Sequence, residues 1–153
     1  MRRLLISMLL LGSLSTAFAG AGVTGRVIKV LPFFLDLQGR KALSPCLYDR
    51  DAYQAYLRRH PDQRSAIRFD VLWKASDVGN AELKLRVELR GIGQDEMPRR
   101  TTLESAMTPH FFRHWSSVTL ASKDYKDFGE MVAWRVTLWS GNQLLGEQKS
   151  FLW

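Results

Sequence analysis

Apolar and polar residues alternate most cleanly in AIRFDVLWK, where Ile67, Phe69, Val71 and Trp73 interleave with Arg68, Asp70, Leu72 and Lys74. A period of two marks a strand with one buried face. After the polar turn ASDVGNAE, the segment LKLRVELR repeats the pattern, with Leu83, Leu85, Val87 and Leu89 on one side and Lys84, Arg86, Glu88 and Arg90 on the other. The two strands are expected to pair antiparallel, with Asp70 and Arg86 available as a charge pair across the wet face. One apolar face on each requires a second sheet packed against them.

The run MVAWRVTLWSGNQLLGEQKSFLW predicts a hairpin about its SGN cluster, with Val132, Trp134, Val136 and Leu138 as one row. A slip of one residue exchanges the two faces. A loop of Gly141, Asn142 and Gln143 sets Val132 opposite Leu152 and Trp134 opposite Ser150, and it keeps Glu147 and Lys149 on the face of Arg135 and Thr137. A two-residue loop brings those charges onto the face of Trp134 and Val136 instead. The first register is preferred.

RRTTLES and HWSSVTLAS each predict a short strand, and GRVIKVLPFFLDLQG predicts an opening strand broken or bulged at Pro32. Proline cannot donate to a ladder, so that strand belongs at an edge or at a switch between sheets. SKDYKDFGE reads as a helical turn closed by Gly129. The exception to the β pattern is LSPCLYDRDAYQAYLRRHP: Ser44 caps a helix, Pro45 opens it and Pro61 ends it, so it spans about 45–59. At 100° per residue Tyr48, Ala52, Ala55 and Tyr56 share one face, with Tyr53 and Leu57 to one side. Alanines between tyrosines allow close approach, so this helix is expected to cover the sheet or plug an open end; an exposed tyrosine face for protein or glycan recognition is the alternative.

The first residues have a basic start at Arg2 and Arg3, an apolar run from Leu4 to Leu11, and small residues at Ala17 and Ala19. This is the layout of a secretory signal peptide, residues 1–19, followed by one domain over 20–153. The general secretory route is expected, with a periplasmic or extracellular destination, no lipid anchor because Gly20 stands where a lipoprotein needs cysteine, and no transmembrane segment after cleavage. Removing the first 19 of 153 residues leaves 134, enough for a core that folds without staples. The formal charge of +7 falls to +5 when Arg2 and Arg3 are lost, a balance that favours anionic envelope polymers or lipid headgroups. The cations are spread among acidic residues with no basic stripe carrying aromatics, so nucleic acid is not an expected partner.

Candidate chemistry is sparse. Cys46 is the lone cysteine, which excludes an internal disulfide, and it is expected to be buried against the helix. As a nucleophile it would need a base, and His60 lies at the far end of the same helix. His110 and His114 stand four apart in PHFFRHW, but the segment precedes a strand and holds no acidic residue between them, so no metal is expected. Asp49, Asp51, Asp95 and Glu96 read as solvated charge, and GIGQDEMP leads to no helix start and hence to no phosphate loop. No catalytic residue and no cofactor is expected.

The hairpin AWRVTLWSGNQLLGEQKSFLW, preceded by YKDFGE, resembles the last two strands of fibronectin type III-like and other immunoglobulin-like modules of bacterial exported proteins. The resemblance implies a noncatalytic spacer, adhesion unit or assembly subunit. With about seven strands and turn signals every 8 to 12 residues, the expected fold is a mainly β, immunoglobulin-like antiparallel sandwich with one helix inserted between the first two strands. Under the preferred register Ala133, Trp139, Leu145, Phe151 and Trp153 share the outward face of the hairpin. Large open apolar patches are uncommon on monomers, so this face is either covered by the helix or a contact site. The candidate contact residues are therefore Trp139, Leu145, Phe151 and Trp153 on the hairpin and Tyr48, Tyr53 and Tyr56 on the helix. The leading expectation is a noncatalytic envelope interaction module whose partner is an unknown protein or envelope polymer. The alternative is a carbohydrate or anionic-polymer binder that stacks sugars on Trp139 and Trp153; a Cys46-dependent enzyme is the least favoured.

Overall fold

The computed structural model describes residues 22–153 except 80, 110 and 111. The expected signal peptide and His110 lie outside the described residues. Seven strands and two helices run in the order β1 (Thr24–Asp36), α1 (Leu47–Arg59), β2 (Arg64–Ser76), β3 (Leu83–Ile92), β4 (Pro98–Met107), β5 (His114–Ala121), α2 (Ser122–Phe128), β6 (Glu130–Ser140) and β7 (Gln143–Lys149). They form two antiparallel sheets, β1-β2-β5 and β4-β3-β6-β7. The chain is mainly β, with α1 between the first two strands, as the pattern predicts. Among the described residues no helix is long and apolar enough to cross a membrane.

The alternating rows of β2 and β3 are the core. Phe69, Val71, Trp73, Leu83, Leu85 and Val87 are all 0 % exposed, and each large apolar side chain so buried contributes about 1.5–3 kcal/mol. The expected pairing of β2 with β3 does not occur. β2 lies between β1 and β5, and β3 lies between β4 and β6, so the chain crosses from one sheet to the other between Ser76 and Leu83. Two strongly apolar rows gain more by packing face to face than by lying side by side in one sheet. Asp70 and Arg86 are accordingly on opposite outer surfaces: Asp70 binds Lys41, Arg68 and Ser117, and Arg86 binds Glu104.

The C-terminal hairpin keeps the preferred register along most of its length, with Thr137 opposite Glu147 and Arg135 opposite Lys149. It reaches that register differently. A tight turn places Ser140 opposite Gln143, and a bulge between Leu144 and Gly146 supplies the extra residue. The bulged residue, Leu145, packs against the core beside Gly25 instead of facing out. A second bulge faces Gly91 and Arg90, which turns Val132 outward to 43 % exposure while Met131 packs inward. On β1 the irregularities fall at Ile28, between Val27 and Lys29, and between Leu35 and Asp36, and not at Pro32, which stays inside a continuous edge strand opposite Phe69.

Helix α1 seals that edge near its C-terminal half. Leu57 is fully buried in the core and Tyr53 packs beside it, while Gln54 is hydrogen-bonded to the Phe34 backbone. The helix therefore plugs one side of the sandwich and leaves the outer face of the hairpin uncovered. Arg64, buried at the start of β2, donates to the carbonyls of Leu57 and Arg58 and to Glu130 of β6, so it ties the C-terminus of α1 to both sheets. Cationic donors at the last helical carbonyls complement the helix dipole. Along the other half of β1, Gln148 of β7 donates to the Ile28 carbonyl at 2.9 Å.

Candidate functional site

Alternation in β3 sends Lys84, Arg86, Glu88 and Arg90 to the outer face of the four-stranded sheet. Register brings them beside Trp139, Thr137, Arg135 and Ala133 of β6 on one side and Ala106, Glu104, Thr102 and Arg100 of β4 on the other. The backbone then folds back after β7: Ser150 bonds the backbone of Trp134, and the Trp153 N–H donates to the Ser150 carbonyl at 3.2 Å. This turn lays the Trp153 indole on the same face.

Both indoles meet arginine there. The Arg86 guanidinium lies 5.3 Å from the centre of the Trp139 ring, and the Trp139 N–H donates to Thr137 at 2.9 Å. Arg90 and Arg135 lie 4.1 and 5.0 Å from the centre of the Trp153 ring. A guanidinium over an aromatic face gains from the ring quadrupole while its in-plane N–H groups can still bond an oxyanion at the ring's edge. Arg135 is also fixed by Glu88, whose Oε2 receives both its Nε and Nη2 at 2.7 Å. Glu104 receives Lys84 at 3.1 Å and Arg86 at 2.7 Å, and these bonds hold its carboxyl below the usual value. At the other end of the face, Arg90 stands directly opposite Arg100 in the β3–β4 ladder. A shallow cleft of about 220 Å³ opens there, lined by Arg90, Arg100, Arg135, Trp153 and Thr102.

The expected contact residues are split by this arrangement. Trp139 and Trp153 share the outer face, about 13 Å apart by strand rise between positions 135 and 139, and both are half-buried under arginine. Phe151 projects fully into solvent, and Leu145 is withdrawn into the core. On α1 the face of Tyr48, Ala52 and Tyr56 points to solvent, with Tyr48 81 % exposed, because the helix packs through Leu57, Gln54 and Tyr53. Tyr56 stacks between Tyr53 and His60, and the Tyr53 hydroxyl donates to Asp36 at 2.7 Å.

The helix tyrosines and the hairpin tryptophans thus belong to separate surfaces. Reading the chain in order missed this cluster, because Arg86, Arg90, Arg100 and Arg135 are spread along it among acidic residues and only the strand register brings them together.

Cys46 is exposed, contrary to its expected burial, since it stands at the N-cap position of α1 ahead of the packed turns. Ser44 acts two residues earlier, receiving the Cys46 N–H and donating to Asp49. His60 is bonded to the Tyr56 carbonyl at the far end of the helix, and His114 packs edge-on against Trp73. Among the described residues no group of three or more His, Cys, Asp or Glu side chains could hold a metal ion. What the outer face offers chemically is charge and hydrogen-bond donors aimed at solvent. Comparison of the chain with protein-family models, with curated proteins and with solved structures finds no match.

Proposed function

We propose that the chain is an exported, noncatalytic module of the bacterial cell envelope that holds an acidic polymer on the outer face of its four-stranded sheet. The observation that carries this reading is the set of arginines, Arg86, Arg90 and Arg135, laid over Trp139 and Trp153 on one face. Neutral sugars stack on open indole faces, whereas here the rings support guanidinium groups, which favours an anionic ligand over a neutral glycan. The positive formal charge of the chain supports the same choice by raising the local concentration of polyanions.

The test is retention of the protein, residues 20–153, on immobilised dextran sulfate and polygalacturonate against plain dextran. Retention on the acidic matrices at low ionic strength, its loss at high salt, and its weakening in an Arg86→Ala, Arg135→Ala variant are expected. Equal retention on plain dextran would sink the proposal.

A second reading is favoured by the start of α1, where Leu43, Leu47 and Tyr48 are 63, 66 and 81 % exposed. Such a cluster suits a protein partner. Photo-crosslinking from position 48 in whole cells tests it, and adducts no more abundant than those from an exposed polar position, such as Lys123, would exclude it.

A further inference from the structure

Two pairs of like charges stand directly opposite each other on the cationic face, Arg135 with Lys149 and Arg90 with Arg100. Arg90 and Arg100 are direct partners on adjacent strands, and like charges in that position repel. Arg135 is neutralised by Glu88, and Lys84 and Arg86 share Glu104. Among the described residues neither Arg90 nor Arg100 forms a salt bridge, and Arg90 is held only against the Trp153 ring. The cleft they share with Arg135 and Glu88 therefore carries two positive charges in excess.

We propose that Arg90, Arg100 and Arg135, with Trp153 as one wall, form a subsite for a single phosphate monoester group. This rests on the acidic-polymer reading above and names the group recognised. Guanidinium forks from two residues of one cleft suit the edges of a tetrahedral oxyanion, and the excess of about two charges matches the –1.5 to –2 of a phosphomonoester. A carboxylate supplies only one charge and one plane of acceptors. The Thr102 hydroxyl, in the lining of the cleft, adds a neutral donor. The apolar ring of Trp153 suits a sugar ring or glycerol unit carrying the ester.

The experiment is a titration of the protein, residues 20–153, with inorganic phosphate, sulfate and acetate at constant ionic strength, read by the NMR signal of the Trp153 indole N–H. Phosphate and sulfate are expected to saturate that signal and to bind at least about tenfold more tightly than acetate. Arg100→Gln, on the exposed edge strand, is expected to weaken phosphate binding at least about tenfold and to raise the melting temperature of the unliganded protein. Arg100→Lys keeps the charge but loses the fork, and intermediate affinity is expected. Glucose 6-phosphate and phosphatidate vesicles separate the two carriers, a sugar and a lipid, and binding of either through Arg100 upholds the site. Equal affinity for acetate and phosphate, or unchanged phosphate affinity in Arg100→Gln, overturns it. Retention on dextran sulfate that survives Arg100→Gln but not Arg86→Ala would leave the broader reading standing while this subsite falls. Phosphate saturation without any polymer retention would do the reverse.

Discussion

The side-chain amide of Gln54 closes two hydrogen bonds on the backbone of Phe34, accepting from its N–H at 2.8 Å and donating to its carbonyl at 2.9 Å. Phe34 lies on the edge strand, where those groups have no ladder partner on the outer side. A helix residue thus substitutes for a missing strand, and it covers an edge that would otherwise template aggregation.

Removing the amide strands buried backbone groups. Gln54→Ala is expected to cost about 2–4 kcal/mol in urea unfolding, from the penalty for unsatisfied polar groups. Gln54→Glu tests the donor half alone. A carboxylate still accepts from Phe34 but cannot donate to the carbonyls of Phe34 or Lys41, so it too is expected to destabilise at neutral pH. A Gln54→Glu protein as stable as wild type would refute the edge-closing role.

Acid lability is expected to centre on Asp36 and Asp70. Burial pushes both carboxyls up, but the bonds they receive outweigh it and hold them below the ordinary range: for Asp36 from Arg40, Tyr53 and Gln38, and for Asp70 from Lys41, Arg68 and Ser117. A carboxyl whose folded value is depressed stabilises the fold above its unfolded value, about 3.9, and that contribution is lost as pH falls through the folded value. Thermal melts should therefore fall steeply below about pH 4. Asp70→Asn is expected to be less stable than wild type at pH 7 and to approach it as pH falls through the depressed folded value, where the wild-type carboxyl becomes neutral too. A stability gap that does not narrow with acid would contradict this.

Two glycines with positive φ are expected to respond differently to alanine. Gly129, φ 81°, ends α2, and a Cβ there would meet the Ile92 carbonyl and lie 2.8 Å from Gly93 Cα, both backbone. Gly141, φ 53°, sits in the hairpin turn with nothing within 4 Å. Gly141→Ala should cost about 1–2 kcal/mol, the left-handed penalty alone. Gly129→Ala should cost clearly more, about 3 kcal/mol or above, since backbone must move as well. Equal losses in denaturant melts would contradict the close approach.

The orientation of α1 is testable through three side chains. Leu57→Ala is expected to cost about 2–5 kcal/mol, as a core truncation. Tyr48→Ala and Cys46→Ser should stay within about 0.5 kcal/mol of wild type. The Cys46 thiol should react with a thiol reagent in the native protein at a rate close to that in urea. Protection of Cys46 in the native state would mean that the start of the helix is covered.

Much of this fold is legible in the sequence. The inner rows of β2 and β3, the helix stopped by Pro61, the Gly129 stop and the register opposite Arg135 follow from local periodicity and turn residues. Tyrosine and alanine suggest a packing face on α1, but the helix packs through Leu57 and through Gln54, a residue that reads as polar, while Tyr48 and Tyr56 stay exposed, the alternative the sequence left open. Leu145 and Val132 were misplaced because a bulge shifts parity by one position, and nothing in the local pattern announces it.

For the candidate site the division is sharper. By itself the sequence determined which side chains of β3, and of β6 beyond its bulge at Val132, leave the core, because a period of two is a property of each strand alone. It also determined the positive balance. Only the tertiary structure decided that β3 pairs with β4 and β6 instead of β2, that Trp153 folds back onto their outer face, and that Arg90 stands opposite Arg100. The β3–β6 pairing and the return of Trp153 join residues far apart in the chain, and their outcome rests on how whole apolar rows pack together, which no local segment encodes.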